Sequence, residues 1–267
     1  MDPETGHQPA APLSDVPARE LYLDLLKRSL TDTLREPEPN HDSADRRALF
    51  VAFTHHYING SAVSMLPLVR LDNIRHCIEH VVRDGVPGDV IETGVWRGGA
   101  CIFMRGCLKA MGVTDRKVWV ADSFEGLPDP APEREKETKF HGSPSMQKSL
   151  RKLEAGIEEV QANFAAYGLL DENVRFLKGW FKDTLPEAPI DRLAVLRLDG
   201  DYYQSTMDAL TALYDRVSPG GFVIVDDYGE DLWTDCRQAI EDFRTANTIT
   251  DPLVRVDETC VYWRKSL

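Results

Sequence analysis

From residue 89 onward, short apolar runs alternate with helical stretches. The runs DVIETG (89–94), KVWVADS (117–123), NVRFLKG (173–179), LAVLRLD (193–199) and GFVIVDD (221–227) lack a strict in–out alternation. That pattern predicts strands covered on both faces. Segments 98–111, about 147–167 and 203–216 carry helical signals between most of them. Strands separated by helices call for crossover connections and a mainly parallel sheet. Near the C-terminus, PLVRVD and CVYWRK are separated by ET alone, which predicts an antiparallel hairpin closing one sheet edge.

Upstream, Leu21, Leu23, Leu25, Leu26, Leu30 and Leu34 fall mostly at helical spacings and predict an amphipathic helix over 20–34. EPEPNHDS ends that pattern. LDNIRHCIEHVVRDG is the best helix of 43–83, after a break at Pro67 and with Gly85 as its stop. Residues 1–19 are polar and proline-rich, predicting a disordered tail with no signal-peptide core. The charge-rich stretch 128–149 is long for a connection and reads either as a lid or as a solvated insertion. The organisation expected is a tail over 1–19, a helical extension and lid over 20–85, and an α/β domain over 86–267.

Composition narrows the function. The 267 residues, 42% hydrophobic and 28% charged, suit one soluble domain plus an extension. A net charge of -13 disfavours nucleic acid and welcomes a cation. Cys77, Cys101, Cys107, Cys236 and Cys260 form no CxxC pair. They read as small buried hydrophobes rather than a disulfide frame or thiolate metal site. No apolar run approaches the roughly 20 residues of a membrane helix, so the expectation is a cytoplasmic protein with no membrane partner.

Candidate chemistry lies at the ends of the strands. In VIETGVWRGGA a buried run ends in Glu92, and Gly94, Gly98 and Gly99 lead into a helix. Such glycines let backbone approach a ligand, or serve only as a tight turn. The spacing is not GxGxxG, which disfavours a dinucleotide. Asp122 ends the next run, where a carboxylate can accept both ribose hydroxyls of an adenosine cofactor. Asp199, Asp226 and Asp227 end two further runs and converge if those strands are neighbours. Three such acids call for a hard divalent ion, magnesium or calcium; as caps and turn formers they would need none. Asp201, two residues on, could take a proton from a hydroxyl there. His55, His56 and His141 are isolated candidates; Tyr202, Tyr203, Tyr228 and Trp233 surround the acids in sequence, with Tyr228 and Trp233 the favoured acceptor contacts.

GDVIETGVWRGGACIF, VWVADSFEGLP, GWFKDTLP, LAVLRLDGDYYQSTMDAL and SPGGFVIVDDY closely resemble the macrocin O-methyltransferase family. These are bacterial enzymes that use S-adenosylmethionine to methylate sugar hydroxyls on macrolides, aminocoumarins and related natural products. The resemblance runs from about residue 20 to the C-terminus. It implies a class I methyltransferase fold, α/β, with a seven-stranded, mostly parallel sheet, an antiparallel last strand and helices on both faces. It also implies magnesium held by Asp199, Asp226 and Asp227, with Asp201 as general base. The implied cofactor site takes Glu92, Thr93, Gly94, Arg97, Asp122 and Ser123. Gly179, Trp180 and Asp183 would flank the adenine, and Ser64 and Met65 would reach the cofactor from the extension. The expected partners are a glycosylated natural product and further copies of the chain, in a homodimer or larger assembly for which 20–34 could serve. A catechol-type methyltransferase and a non-enzymatic nucleotide- or metal-binding module are the alternatives.

Overall fold

A computed structural model describes residues 17–35, 60–129, 133–134, 151–229 and 234–266. Among the described residues two helices come first, α1 (Ala18–Leu30) and α2 (Leu68–Arg83). Then follow β1 (Asp89–Thr93), α3 (Gly99–Ala110), β2 (Val118–Asp122), α4 (Ile157–Ala166) and β3 (Val174–Lys178). After these come α5 (Phe181–Thr184), β4 (Leu193–Leu198), α6 (Tyr203–Leu213) and β5 (Val217–Val225). The chain closes with α7 (Thr234–Ala246), β6 (Val254–Arg255) and β7 (Val261–Arg264).

The strands form one seven-stranded sheet in the order β3-β2-β1-β4-β5-β7-β6. The five strands β1 to β5 pair in parallel, β7 runs antiparallel to β5, and β6 antiparallel to β7. The chain winds outward from β1 to β3, then returns to build β4 on the other side of β1. That reversal falls between β1 and β4, and open α/β sheets bind ligands beyond the C-terminal strand ends at such a point.

Alternate strand residues feed two cores. Val90 and Val195 join Ile74, Phe103 and Phe164 on one face. Ile91 and Leu196 join Leu210, Ile240 and Phe243 on the other. All six residues of β4 are buried, which is why its run reads as continuous rather than alternating. Helix α1 belongs to the first core through Leu23, Leu26 and Leu30, a spacing that puts all three on one helical face.

Several boundaries differ from the sequence reading. The first helix stops at Leu30 rather than 34, because Asp32 takes the left-handed conformation at φ +57°. Of the helix expected over about 147–167, α4 covers Ile157–Ala166, after a 3-10 turn at Arg151–Leu153; 147–150 lie outside the described residues. The helix expected over 203–216 gives way to a 3-10 turn at Tyr214–Arg216. Strand β5 begins at Val217 rather than 221, its first half masked by the turn-like residues Ser218, Pro219, Gly220 and Gly221. Helices α5 and α7 were not predicted. The spacing of Cys236, Ala239, Ile240 and Phe243, all buried, was the legible signal for α7. Residues 1–16, most of 128–149, His55, His56, His141 and Trp233 lie outside the described residues. All five cysteines are free and buried, as expected. Among the described residues no helix is long and apolar enough to cross a membrane.

Candidate active site

The parallel ladder continues past the strand ends. The Asp199 N–H donates to the Thr93 carbonyl, the Asp226 N–H to Leu198, the Gly94 N–H to Ala121 and the Gly179 N–H to Asp122, all at 2.9 Å. Gly179, Gly94, Asp199 and Asp226 therefore stand along one edge, each at the C-terminal end of its strand.

Carboxylate oxygens of Asp199, Asp226 and Asp227 lie within 4.8 Å of one another. Oxygen donors at that spacing, with no thiolate or imidazole among them, fit a hard divalent ion such as magnesium. Burial and the neighbouring Asp226 push Asp199 up to about 6, although Arg197 pulls it down. Burial, then Asp201, Asp199 and Asp226, push Asp227 well above the carboxylate range. Asp199 and Asp227 are thus both raised, as carboxylates sharing one buried site are. Asp201 sits beside them. Its N–H donates to Asp227 Oδ2 at 3.2 Å, and its φ of +60° places it in the left-handed region.

Arg197, which sequence reasoning missed, lies beneath the cluster and is fully buried. Its Nη1 donates to Glu92 Oε1 and, at 2.7 Å, to Asp199 Oδ2; its Nη2 donates to Asp226 Oδ1. The register sets this up: Glu92 and Arg197 are lateral partners on β1 and β4. Glu92 is buried near the C-terminal end of β1, with Oε1 accepting from Arg197 and Oε2 from the Cys101 thiol at 3.0 Å. Burial raises it to about 7 against the pull of Arg197.

On the other side of β1 the Asp122 carboxylate ties two loops together. Its Oδ2 accepts the Val95 N–H at 2.7 Å and its Oδ1 the Phe124 N–H at 2.8 Å, with the Ser123 hydroxyl 3.4 Å away. Burial raises Asp122, and those N–H groups counter it. Thr93 is buried, its hydroxyl donating to the Arg197 carbonyl at 3.4 Å. Arg97 stacks on Trp96 at 4.4 Å and donates to the carbonyls of Ala62 at 2.9 Å and Gly60 at 3.4 Å. It thereby holds the segment before α2 against the loop after β1.

That segment also crosses the start of α3. A Cβ on Gly99 would meet the Ser64 Cβ at 2.5 Å, so only glycine lets the two backbones approach this closely. Ser64 is buried and Met65 half-buried there. Gly179 turns the chain out of β3 at φ +137°. Trp180 caps α5, and Asp183 is exposed on that helix.

Of the aromatic candidates, the three described tyrosines are held by the protein itself. Tyr202 and Tyr228 are buried, and the Tyr228 hydroxyl donates to Glu241 at 3.0 Å. The Tyr203 hydroxyl donates to Asp242 at 2.9 Å. Both acceptors lie on α7.

The family model described as Macrocin-O-methyltransferase (TylF) matches residues 58–265. The chain is 49% identical to the 8-demethyl-8-(2,3-dimethoxy-alpha-L-rhamnosyl)-tetracenomycin-C 4'-O-methyltransferase of Streptomyces olivaceus, over 92% of this chain and 93% of that protein. It is 48% identical to the mycinamicin III 3''-O-methyltransferase of Micromonospora griseorubida, over 92% of this chain and 97% of that protein. The solved structure of the O-methyltransferase NovP superposes with a TM-score of 0.80 at 47% identity, covering 93% of this chain and all of that one. The fold is that of the class I methyltransferases. The chain belongs to the macrocin O-methyltransferase family.

Proposed function

We propose that the protein is an S-adenosylmethionine- and magnesium-dependent O-methyltransferase acting on a deoxysugar hydroxyl of a glycosylated, antibiotic-type natural product. The observation that carries this is the convergence of Asp199, Asp226 and Asp227 beside the glycine turn after β1. The relatives are named for methyl transfer to a rhamnosyl tetracenomycin and to mycinamicin III.

When bound, the sulfonium cofactor supplies the methyl group, and magnesium supplies the positive charge that acidifies a nearby hydroxyl. Asp199, Asp226 and Asp227 would hold the ion. The Asp201 carboxylate would accept the hydroxyl proton as the methyl is transferred. Asp122 and Ser123 would hold the ribose. Glu92, Thr93, Gly94 and Arg97 would shape the methionine end, and Ser64 and Met65 would close over it. Gly179, Trp180 and Asp183 would border the adenine. No oxyanion hole is required, because the cofactor's positive charge disappears in the step. Holding the two reactants in line can supply roughly 7–11 kcal/mol of the acceleration.

We read residues 86–267 as the transfer domain and 20–85 as its helical extension. Leu21 and Leu25 of α1 are 59% and 57% exposed, and an apolar helix edge of this kind supports pairing with a second copy. A cytoplasmic setting fits the five free, buried thiols.

Methyl transfer should be followed by mass spectrometry on a deoxysugar glycoside and on a catechol. The glycoside should gain one methyl ether, chelator should abolish the reaction and magnesium should restore it. Full activity in chelator, or transfer to the catechol alone, would overturn the reading.

A further inference from the structure

Asp226 stands between two guanidinium groups. Arg197 of β4 donates to its Oδ1, and Arg70 of α2 donates to its Oδ2 at 2.5 Å. The two arginines have different surroundings. Arg197 is held wholly by acids of the site itself. Arg70 is held from outside it. Its Nε donates to Asp257 Oδ2 at 2.6 Å, and its Nη2 donates to Asp257 Oδ1 at 3.0 Å and Thr259 Oγ1 at 2.5 Å. Asp257 is fixed in turn, because its Oδ1 accepts the N–H groups of Thr259 and Cys260, each at 2.9 Å. These residues form the turn between β6 and β7.

All three guanidinium nitrogens are therefore engaged, and the planar fork allows one orientation. Neutralising Asp226 would need only the one contact from Arg70 Nη1. The further contacts to Asp257 and Thr259 set where the Arg70 fork lies, and so where Asp226 Oδ2 lies. Each carboxylate oxygen has a second lone pair, so Asp226 can accept from both arginines and still face a cation.

We propose that Arg70 is a positioning residue of the acidic site: it fixes the Asp226 carboxylate for cation binding and ties that carboxylate to the β6–β7 turn. This rests on the reading of Asp226 as a magnesium ligand. The pair Arg70 and Asp257 touches no reacting atom, so its effect should appear in cation affinity and not in cofactor affinity.

Calorimetry on the full chain, with magnesium and separately with S-adenosylhomocysteine, tests this. Arg70→Lys keeps the charge and loses the fork, which isolates geometry from electrostatics. Magnesium affinity should fall about tenfold or more, the usual scale for residues that orient metal ligands. S-adenosylhomocysteine affinity should stay within about twofold of wild type. Asp257→Asn should weaken magnesium by a smaller factor, and the double variant should be no weaker than Arg70→Lys. Wild-type magnesium affinity in Arg70→Lys overturns the proposal, as does a parallel loss of both ligands. Full additivity in the double variant overturns it as well. If Arg70→Lys does not fold, Asp257→Asn decides, and an unchanged magnesium affinity there refutes the coupling. If wild type binds no magnesium, the metal reading falls and this proposal with it; if wild type binds and the variants match it, this proposal alone falls.

Discussion

A Cβ on Gly94 would lie 1.8 Å from the backbone carbonyl oxygen of Asp199. Gly94 also has a φ of +90°, a region that side chains rarely enter. The turn that leaves β1 and the residue that ends β4 are thus in backbone contact, and neither can yield without breaking the sheet edge. The turn proposed to line the cofactor and the acidic cluster share this contact. Gly94→Ala should cost on the order of 3 kcal/mol or more. Urea unfolding should report that loss, and affinities for S-adenosylhomocysteine and magnesium should fall together. A variant of normal stability with both affinities intact would contradict the shared contact.

Asp201 has a left-handed backbone, and its N–H, not its carboxylate, makes the 3.2 Å bond to Asp227. Asparagine tolerates that conformation and keeps the N–H. Asp201→Asn should therefore leave S-adenosylhomocysteine binding unchanged while lowering turnover by about 10²–10⁴-fold, the range for a lost general base. Near-normal turnover would remove Asp201 from that role.

The strand-end acids were legible because each closes an apolar run, where a carboxylate stands out. The sheet followed from the same runs. Arg197 was not legible. A single arginine inside LAVLRLD gives no pattern of its own, and its partner Glu92 lies 105 positions away. Arg70 was hidden for the same reason, since Asp257 lies 187 positions further along. Periodicity registers which face a residue occupies; it does not register which distant charge the sheet register brings opposite it. The start of β5 failed differently, because Ser218, Pro219 and the two glycines carry turn chemistry where the strand bulges between the pairs Val217–Leu193 and Phe222–Val195.

Asp122 has both oxygens occupied by backbone N–H groups, of Val95 after β1 and of Phe124 after β2. Its remaining lone pairs are the ones available to ribose hydroxyls. Asp122→Ala should weaken S-adenosylhomocysteine by about 1–3 kcal/mol through lost charge-assisted bonds, read as a shift in the calorimetric dissociation constant. Magnesium affinity should hold, since Asp122 is not in the acidic cluster. An unchanged cofactor affinity would contradict the ribose assignment.

The pair Arg105 and Asp171 gives the fold a pH dependence separate from the site. Arg105 on α3 is buried, and it donates Nη2 to Asp171 Oδ2 at 2.7 Å and Nε to Oδ1 at 3.0 Å. Among the described residues its Nη1 has no partner, so Asp171 is the charge that keeps this guanidinium tolerable below the surface. Burial raises the Asp171 carboxyl, but the Arg105 hydrogen bond and the Asn173 N–H outweigh it, and the net shift is downward. A carboxyl lowered by folding stabilises the protein above the unfolded value, near 4, and that contribution is lost as pH falls through the folded value. Asp171→Asn keeps an oxygen for the Asn173 N–H and removes the charge. Near pH 7 the variant should be less stable by about 1–3 kcal/mol. Near pH 3 the gap should narrow, because the unfolded carboxyl then takes up a proton that the Arg105 pair resists in the folded state. Urea unfolding at the two pH values measures this, and an equal gap at both would show that the ion pair does not set the acid limb.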